Sequence, residues 1–498
     1  MGSPAIRNVL LILTDQHSRE GIGCYGNPWM RTPRLDALAA EGSRFENCYC
    51  PAPLCVPSRM SFLTAKTPSK NRVWDNFHML EHTGRTWIDG LNAAGVRTDL
   101  VGRMHFVGKN QIGAFQGRPL GEFTARPQMK AEDHPNYFKK FSGMTTGQCR
   151  EAVEVSGSGE TLYQWFDARV TDATCDYLRE RSEVDEPFFA VSGMVLPHCP
   201  FIAPKELFDY YYAHAPEVGP GEDLPLTVQR FLKARGIKDP PVSAERKRIA
   251  RAAYFALCEM VDRNVGQILD CLEATGLRED TLVIYASDHG EMAGQKECWW
   301  KSTFYEDSAG VPMIVSGPPG WKTAEQVPSI CNLLDIGPTV AELMGAALPE
   351  PVDGRSLVRL LNGDASSWEE ETFSEFVDMK PEYHWAGRMI RSGPWKLWEF
   401  HDEDGLPPSL FNLDEDPEET TDLWGRPDLL EVGEALRKRL HADWDPEFCL
   451  AEAKRKREAT YAMMEWAEKT QPETPYYLSP PEEEVDRDLN FYEERTPS

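Results

Sequence analysis

The sequence predicts an α/β protein with a large, mostly parallel central sheet flanked by helices and a smaller C-terminal sheet domain. Three observations carry this. Apolar runs at 8–14, 96–102, 187–195, 281–287 and 312–316 are short, rich in Val, Ile and Leu and without alternation, the pattern of strands buried on both faces. Helical periodicity falls between them, as it does when parallel strands are joined by crossover helices. Beyond the linker at 349–363 the pattern changes: 372–376 and 389–400 read as strands of a second sheet, followed by a helix at about 428–468.

The elements follow in order. The run 8–14 is too short to span a membrane and no small-residue cleavage site follows it, so it reads as a buried strand and not as a leader. A helix over 33–41 starts behind Thr32, and others are expected at 85–94 and 160–181. The strongest helix is 243–274, where Ala250, Tyr254, Leu257, Val261, Val265, Ile268 and Leu272 recur at helical spacing before Gly276. Residues 104–160 are rich in Gly, Pro and polar residues and read as a long excursion over the active face. Three units are expected: 1–365 as the catalytic domain, 366–470 as a smaller domain, and 471–498 as an extended tail. The tail has too few apolar residues to pack alone; it either docks on another surface or stays mobile.

Composition narrows the function classes. Lys plus Arg number 53 against 80 Asp plus Glu, a net charge of −27, which disfavours nucleic acid and anionic membranes as partners. Any anion site must therefore be locally basic. The twelve cysteines are scattered, with no Cys-x-x-Cys pair and distant partner, so neither a disulfide framework nor a zinc site is expected. The cytoplasm is the expected compartment.

Candidate chemistry gathers where strands end. In open α/β sheets ligands bind beyond the carboxyl ends of the strands. Strand 8–14 ends at Asp15-Gln16, and strand 281–287 at Asp288-His289-Gly290-Glu291, a set suited to one divalent cation. Strand 96–102 runs into Arg103-Met104-His105, and strand 187–195 into Pro197-His198; Lys301 follows thirteen residues after Asp288. Cys55-Val56-Pro57-Ser58-Arg59 places a nucleophile near a cation. Pro57 suggests that Cys55 sits on a turn, with Ser58 as N-cap of a helix beginning at Arg59. The positive end of that helix suits an oxyanion, sulfate or phosphate.

The run Cys55-x-Pro57-Ser58-Arg59 followed by Leu63-Thr64 resembles the signature of the formylglycine-dependent sulfatases. The resemblance extends over Leu10 to Gln16, Gly102 to His105, Pro197-His198, Asp288 to Glu291, Lys301 with Tyr305-Glu306, Asp353 to Leu357, and Leu410 to Asp414 with Asp416-Pro417-Glu419. It implies an alkaline-phosphatase-like fold, with an antiparallel sheet in the smaller domain. It also implies that a formylglycine-generating maturase oxidises Cys55, and that the hydrated aldehyde is the nucleophile. Asp15, Gln16, Asp288, His289 and residue 55 would hold one divalent cation, calcium by family habit. Gln16 and His289 look more like the branch of bacterial arylsulfatases and phosphonate monoester hydrolases, where manganese is the alternative. Arg59 would stabilise the alkoxide; Lys301 and His198 would bind sulfate and protonate the leaving oxygen; His105 would take a proton as sulfate is expelled; Arg103 and Asn76 would contact the substrate.

The expected reaction is hydrolysis of a small sulfate ester. Phosphonate monoester or phosphodiester hydrolysis on the same residues is the alternative, and a non-catalytic binding protein the second. A homo-oligomer is expected, with the tail touching a neighbouring subunit. Three departures from the pattern stand out. Arg103 replaces a lysine, and Ala65 replaces the glycine after Leu-Thr. Gly310 replaces an arginine that precedes Val-Pro, which would leave a common structural contact without its donor.

Overall fold

Strands form where the chain is apolar on both sides of the backbone. The computed structural model describes residues 6–470 except 82–84, 123–147, 220, 222, 322, 349, 350 and 403, and also residues 472, 473, 476 and 478. The strands are β1 (Asn8–Asp15), β2 (Ser43–Tyr49), β3 (Arg97–Gly102), β4 (Gly117–Leu120), β5 (Gly157–Ser158), β6 (Phe188–Pro197), β7 (Ile202–Ala203), β8 (Thr281–Ser287), β9 (Met313–Ser316), β10 (Gln326–Asn332), β11 (Glu371–Lys380), β12 (Tyr383–Ser392), β13 (Trp395–His401) and β14 (Ser409–Asn412). Eight of them make one sheet in the order β10-β2-β9-β8-β1-β6-β3-β4.

In that sheet only β9 runs against its neighbours; β8, β1, β6 and β3 are mutually parallel. Every residue of β1, β6 and β8 is buried. Burying each Leu, Ile or Val there contributes roughly 1.5–3 kcal/mol, so the unalternating apolar runs belong at the sheet centre. Because these strands are parallel, their carboxyl ends emerge on one edge.

Helices cover the sheet. Ala244–Ala274 is capped by the Ser243 side chain, which accepts from the Arg246 amide, and packs against β6 and the helices Leu162–Ser182 and Lys205–His214. Leu162–Ser182 is capped in the same way by Thr161. No helix among the described residues is long and apolar enough to cross a membrane. All twelve cysteines are free.

β11 to β14 form a second, antiparallel meander. The expected single strand at 389–400 is instead a hairpin: Gly393, at φ 53°, turns the chain between β12 and β13. The expected helix at 428–468 is two helices, Leu430–Leu440 and Pro446–Thr470, because Pro446 can open a helix but not continue one. They cover one face of the meander, where the cross-strand neighbours Ile390, Leu397 and Leu410 pack with Leu440, Cys449 and Ala453. Against the main sheet the seam is aromatic, with Phe304 between Phe376 and Phe400 and Tyr305 edge-on to Trp398. The excursion at 104–160 contains β4 and the short helix Glu151–Glu154; its middle, 123–147, lies outside the described residues.

Candidate active site

The helix Cys55–Thr64 starts four residues earlier than Pro57 and Ser58 suggested. Pro57 sits in its first turn, where the missing N–H would have had no intrahelical partner. Leu54, the N-cap residue, gives no side-chain cap. Asn76 caps from outside instead: its Oδ1 accepts from the Val56 amide at 2.9 Å. Ser58 is therefore inside the helix, and its hydroxyl donates to the Asp288 carbonyl at 2.5 Å. Cys55 stands at the helix mouth, buried, where the dipole favours an anion.

Asp15 from the end of β1 and Asp288 just beyond β8 meet at Arg59. Arg59 Nε donates to Asp288 Oδ2 at 2.7 Å, and its Nη2 reaches Asp15 Oδ2 at 3.3 Å and the Thr14 carbonyl at 3.2 Å. Each carboxylate thus gives one oxygen to the guanidinium and turns the other toward residue 55. Asp15 Oδ1 lies 3.6 Å from the Cys55 Sγ. His289 Nδ1 is 3.0 Å from the Gly290 carbonyl, which can only accept, so Nδ1 carries the proton and Nε2 a lone pair. That Nε2 lies 3.2 Å from Cys55 Sγ, 3.6 Å from Asp15 Oδ1 and 3.5 Å from Asp288 Oδ1. Ligand atoms of Asp15, Cys55, Asp288 and His289 all lie within 4.8 Å of one another.

Acceptors that converge on one point, all buried, fit a cation. Burial opposes charge on Asp15, but Arg103, His198, Arg59 and His289 hold its carboxyl well below the usual range. Gln16, with φ 70°, places its side-chain oxygen against the Lys301 ammonium and its amide against Glu291. Glu291 also accepts from the Ala293 and Trp300 amides, at 2.8 and 2.6 Å, and burial pushes its carboxyl up to about 7. Burial works against the Lys301 ammonium too, but Cys55 and Asp15 outweigh it and raise its pKa.

Arg103 Nε donates to Asp15 Oδ2 at 2.8 Å, and its Nη2 to His105 Nδ1 at 2.8 Å. Since arginine only donates, the neutral His105 ring keeps its proton on Nε2. Burial, then the Arg103 charge, hold His105 well below its ordinary pKa. His198 donates from Nδ1 to the Cys199 carbonyl at 2.6 Å, leaving a lone pair on Nε2. Burial and then Lys301 lower its pKa. Gln16, His105, Trp300 and Ser302 all hold positive φ without being glycine, and strain of this kind gathers at working loops.

The fold therefore brings every sequence-predicted site residue to one edge of the sheet or its helix mouth. Three further carboxylates hold the loops: sequence reasoning missed two of them and read the third, Glu291, with the cation set. Asp167 accepts from the Val195 and Leu196 amides ahead of His198, at 2.8 and 2.9 Å, and burial raises its carboxyl to about 7. Glu122 holds the backbone at His105, and Glu291 holds Gln16 and the approach to Lys301. Glu291 had a signal in Asp288-His289-Gly290-Glu291; the other two had none. Trp74, Trp299, Trp300 and Trp385 are buried in the core, and Phe106, also buried, lines a cavity with Met60, Leu80 and Met463.

Residues 7–346 match the Sulfatase family, and residues 294–444 match the family described as N-sulphoglucosamine sulphohydrolase, C-terminal. The chain belongs to the sulfatase family. It is 32% identical to a choline-sulfatase of Rhizobium meliloti over 464 residues, covering 88% of this chain and 87% of that one. It is 28% identical to an arylsulfatase of Clostridium perfringens, covering 87% and 93%. The phosphonate monoester hydrolase of Agrobacterium radiobacter superposes with a TM-score of 0.70 at 22% identity, over 88% of this chain and 95% of that one, a likeness of fold. This sulfatase is a sulfuric ester hydrolase.

Two of the departures now have a physical account. A Cβ at Gly310 would lie 2.1 Å from Arg19 Nη2, so Arg19 fills the space an arginine side chain there would take. Arg19 pairs with Glu306 from that position. Ala65 is the C-cap of Cys55–Thr64 at φ 50°, ψ 32°, a left-handed conformation that glycine adopts without cost.

Proposed function

We propose that this sulfatase cleaves small sulfate esters using residue 55 as formylglycine, made from Cys55 by a formylglycine-generating maturase, with one divalent cation held by Asp15, Gln16, Asp288, His289 and residue 55. Calcium is the first candidate and manganese the second. The observation that carries the reading is the convergence of Asp15 Oδ1, Asp288 Oδ1 and His289 Nε2 on Cys55 at a helix mouth, with Arg59 neutralising the far side of both carboxylates. The hydrated aldehyde would supply a hydroxyl nucleophile where the thiol now stands, and the cation would favour its ionised form and offset charge on the sulfate.

The chain's own side chains do the rest. Arg59 orients the two carboxylates so that one oxygen of each stays available. Lys301, protonated and buried beside Gln16, binds sulfate oxygens as charge develops on them. His198 has its lone pair at Nε2, where it can take up a proton and return it to the departing alcohol or phenol oxygen. His105 is neutral with its basic lone pair at Nδ1, the atom Arg103 faces, so Arg103 governs when that nitrogen accepts a proton. Asn76 caps the nucleophile's helix through its oxygen and would turn its amide toward the sulfate.

Gln16 and His289, which resemble the phosphonate monoester hydrolase branch, favour that chemistry as the second reading. A screen by kcat/KM separates the two. Choline sulfate and aryl sulfates should exceed phosphonate monoesters and phosphodiesters, and the reverse order would replace the first reading by the second. Peptide mass spectrometry on protein co-expressed with a maturase should find formylglycine at position 55. An intact thiol there would sink the covalent route.

A further inference from the structure

The C-terminal segment returns to the site. Glu122, two residues past the edge strand β4, donates its amide to the Tyr476 carbonyl at 3.1 Å and accepts from the Leu478 amide at 3.1 Å, the pattern of a parallel bridge. The two backbones are close enough that a Cβ on Gly121 would lie 1.9 Å from the Tyr476 oxygen. Gly121 has no positive φ to explain it, so the glycine serves close approach. Leu478 packs on the main hydrophobic core, and the Arg118 guanidinium sits over the Tyr476 ring, 5.9 Å from its centroid.

What Glu122 does with its side chain makes this contact consequential. Oε1 accepts from the His105 amide at 2.9 Å, the Met104 amide at 3.3 Å and Arg118 Nη2 at 3.0 Å, and Oε2 faces Arg103 Nη1 at 3.5 Å. One buried carboxylate thus holds the strained turn at His105, φ 60°, and one arm of the guanidinium that faces the His105 ring. We propose that Tyr476 and Leu478 complete the active site of this chain: they clamp Glu122, and Glu122 is a positioning residue for His105 and Arg103. The inference rests on the roles given to those two side chains above. It places the tail on its own chain's active face at these residues, where the sequence had left docking and mobility open.

Full-length variants test it. Gly121→Ala pushes the Tyr476 carbonyl away without touching the Glu122 carboxylate, and Leu478→Pro removes the amide on the other side. Each should lower kcat by about tenfold or more with KM changed by less than about threefold, because misplacing a proton-transfer group costs rate more than binding. Glu122→Ala should lose at least as much. Glu122→Gln, whose oxygen can still accept from the His105 and Met104 amides, should recover part of the loss. Gly121→Ala added to Glu122→Ala should cost nothing further. Hydrogen exchange gives a readout that needs no turnover: the Met104 and His105 amides should exchange about tenfold faster in Gly121→Ala. Unchanged kcat and unchanged exchange in both Gly121→Ala and Leu478→Pro would overturn the proposal, and so would losses that multiply in the double variant. If full-length protein cleaves no sulfate ester while exchange at 104 and 105 responds as expected, the reaction reading fails and the clamp stands.

Discussion

Two buried charge clusters sit on either side of the loop that carries Lys301, and they are built on opposite rules. At the seam between the sheets, donors and acceptors interleave. Lys396, fully buried, lies 2.8 Å from Glu306 Oε1 and 2.7 Å from Glu419 Oε1. Arg19 pairs with Glu306 from the other side, and Tyr49 donates to Glu306 at 2.9 Å while accepting from Arg391 at 3.1 Å. At the active site the acceptors are gathered face to face. Arg59 and Arg103 take the outer oxygen of Asp15, Arg59 takes that of Asp288, and the inner oxygens confront the His289 lone pair. A seam of alternating charges pairs its acids with its bases and joins the two sheets. A site of converging acceptors has its electrostatic demand left for a cation and an oxyanion. Burial and charge are common to both, so neither identifies a working site; the direction in which the lone pairs point does.

The comparison is sharpest at its centre. Cys55→Ala should lower turnover by about 10^4-fold or more, as removal of a nucleophile does elsewhere, while the melting temperature stays within a few degrees. Steady-state kinetics beside a thermal melt measure both. Retained activity would mean that residue 55 is not the nucleophile, and that the convergence around it is structural like the seam. Lys396→Met should do the reverse. It leaves Glu306 and Glu419 buried without their ammonium, which should destabilise by about 3–5 kcal/mol, with kcat per folded molecule nearly unchanged. Urea unfolding with active-site titration separates the two effects; a large kcat loss without destabilisation would erase the distinction between the clusters.

What was legible in the sequence follows the same division. The central strands β1, β6 and β8 are apolar on both faces, so they were plain as runs, and their parallel order made Asp15, His198 and Asp288 neighbours. β2 and β10 were missed because half-exposed or exposed positions such as Arg44, Asn47 and Gln326 break the run near the sheet margin, and β4 because it is four residues long with Pro119 inside it. The start of the helix Cys55–Thr64 was misplaced because Pro57 is read locally as a breaker, whereas its cap comes from Asn76. Glu122 and Asp167 were not legible, since each works by accepting backbone amides far away in sequence, and an amide has no residue-type signal. That Arg19 fills the space in front of Gly310 was hidden for the same reason: the contact joins positions that only the fold brings together.

Removing the cation tests the demand directly. Dialysis against EDTA should abolish turnover, and restoring calcium or manganese should return it, with metal analysis naming the ion retained. A cation present at about a hundred times its Kd stabilises the fold by about 2.7 kcal/mol, which for a chain of this size raises the melting temperature by about 2–3 °C. Asp288→Asn should lose most of that rise and Lys396→Met should keep it. A rise that survives Asp288→Asn would place the ion somewhere other than between the converging acceptors.

The smallest effect concerns the far end of the helix Cys55–Thr64. Ala65 ends Cys55–Thr64 in a left-handed conformation, and its carbonyl accepts from the Asp353 and Gly354 amides at 2.9 and 3.2 Å, so the strained residue is tied down. Glycine would adopt the same φ without the Cβ penalty but with more freedom to lose on folding. Ala65→Gly should therefore stabilise by about 0.5–1 kcal/mol in urea unfolding, with kcat unchanged once the fraction of formylglycine is normalised by mass spectrometry. That normalisation matters because Ala65 would bear on two things, oxidation of Cys55 by a maturase and the end of the helix. If the formylglycine fraction rises with Ala65→Gly while stability does not, the glycine expected here serves oxidation of Cys55. If stability rises and the fraction does not, it serves the helix end, where Ala65 holds its left-handed conformation at φ 50°.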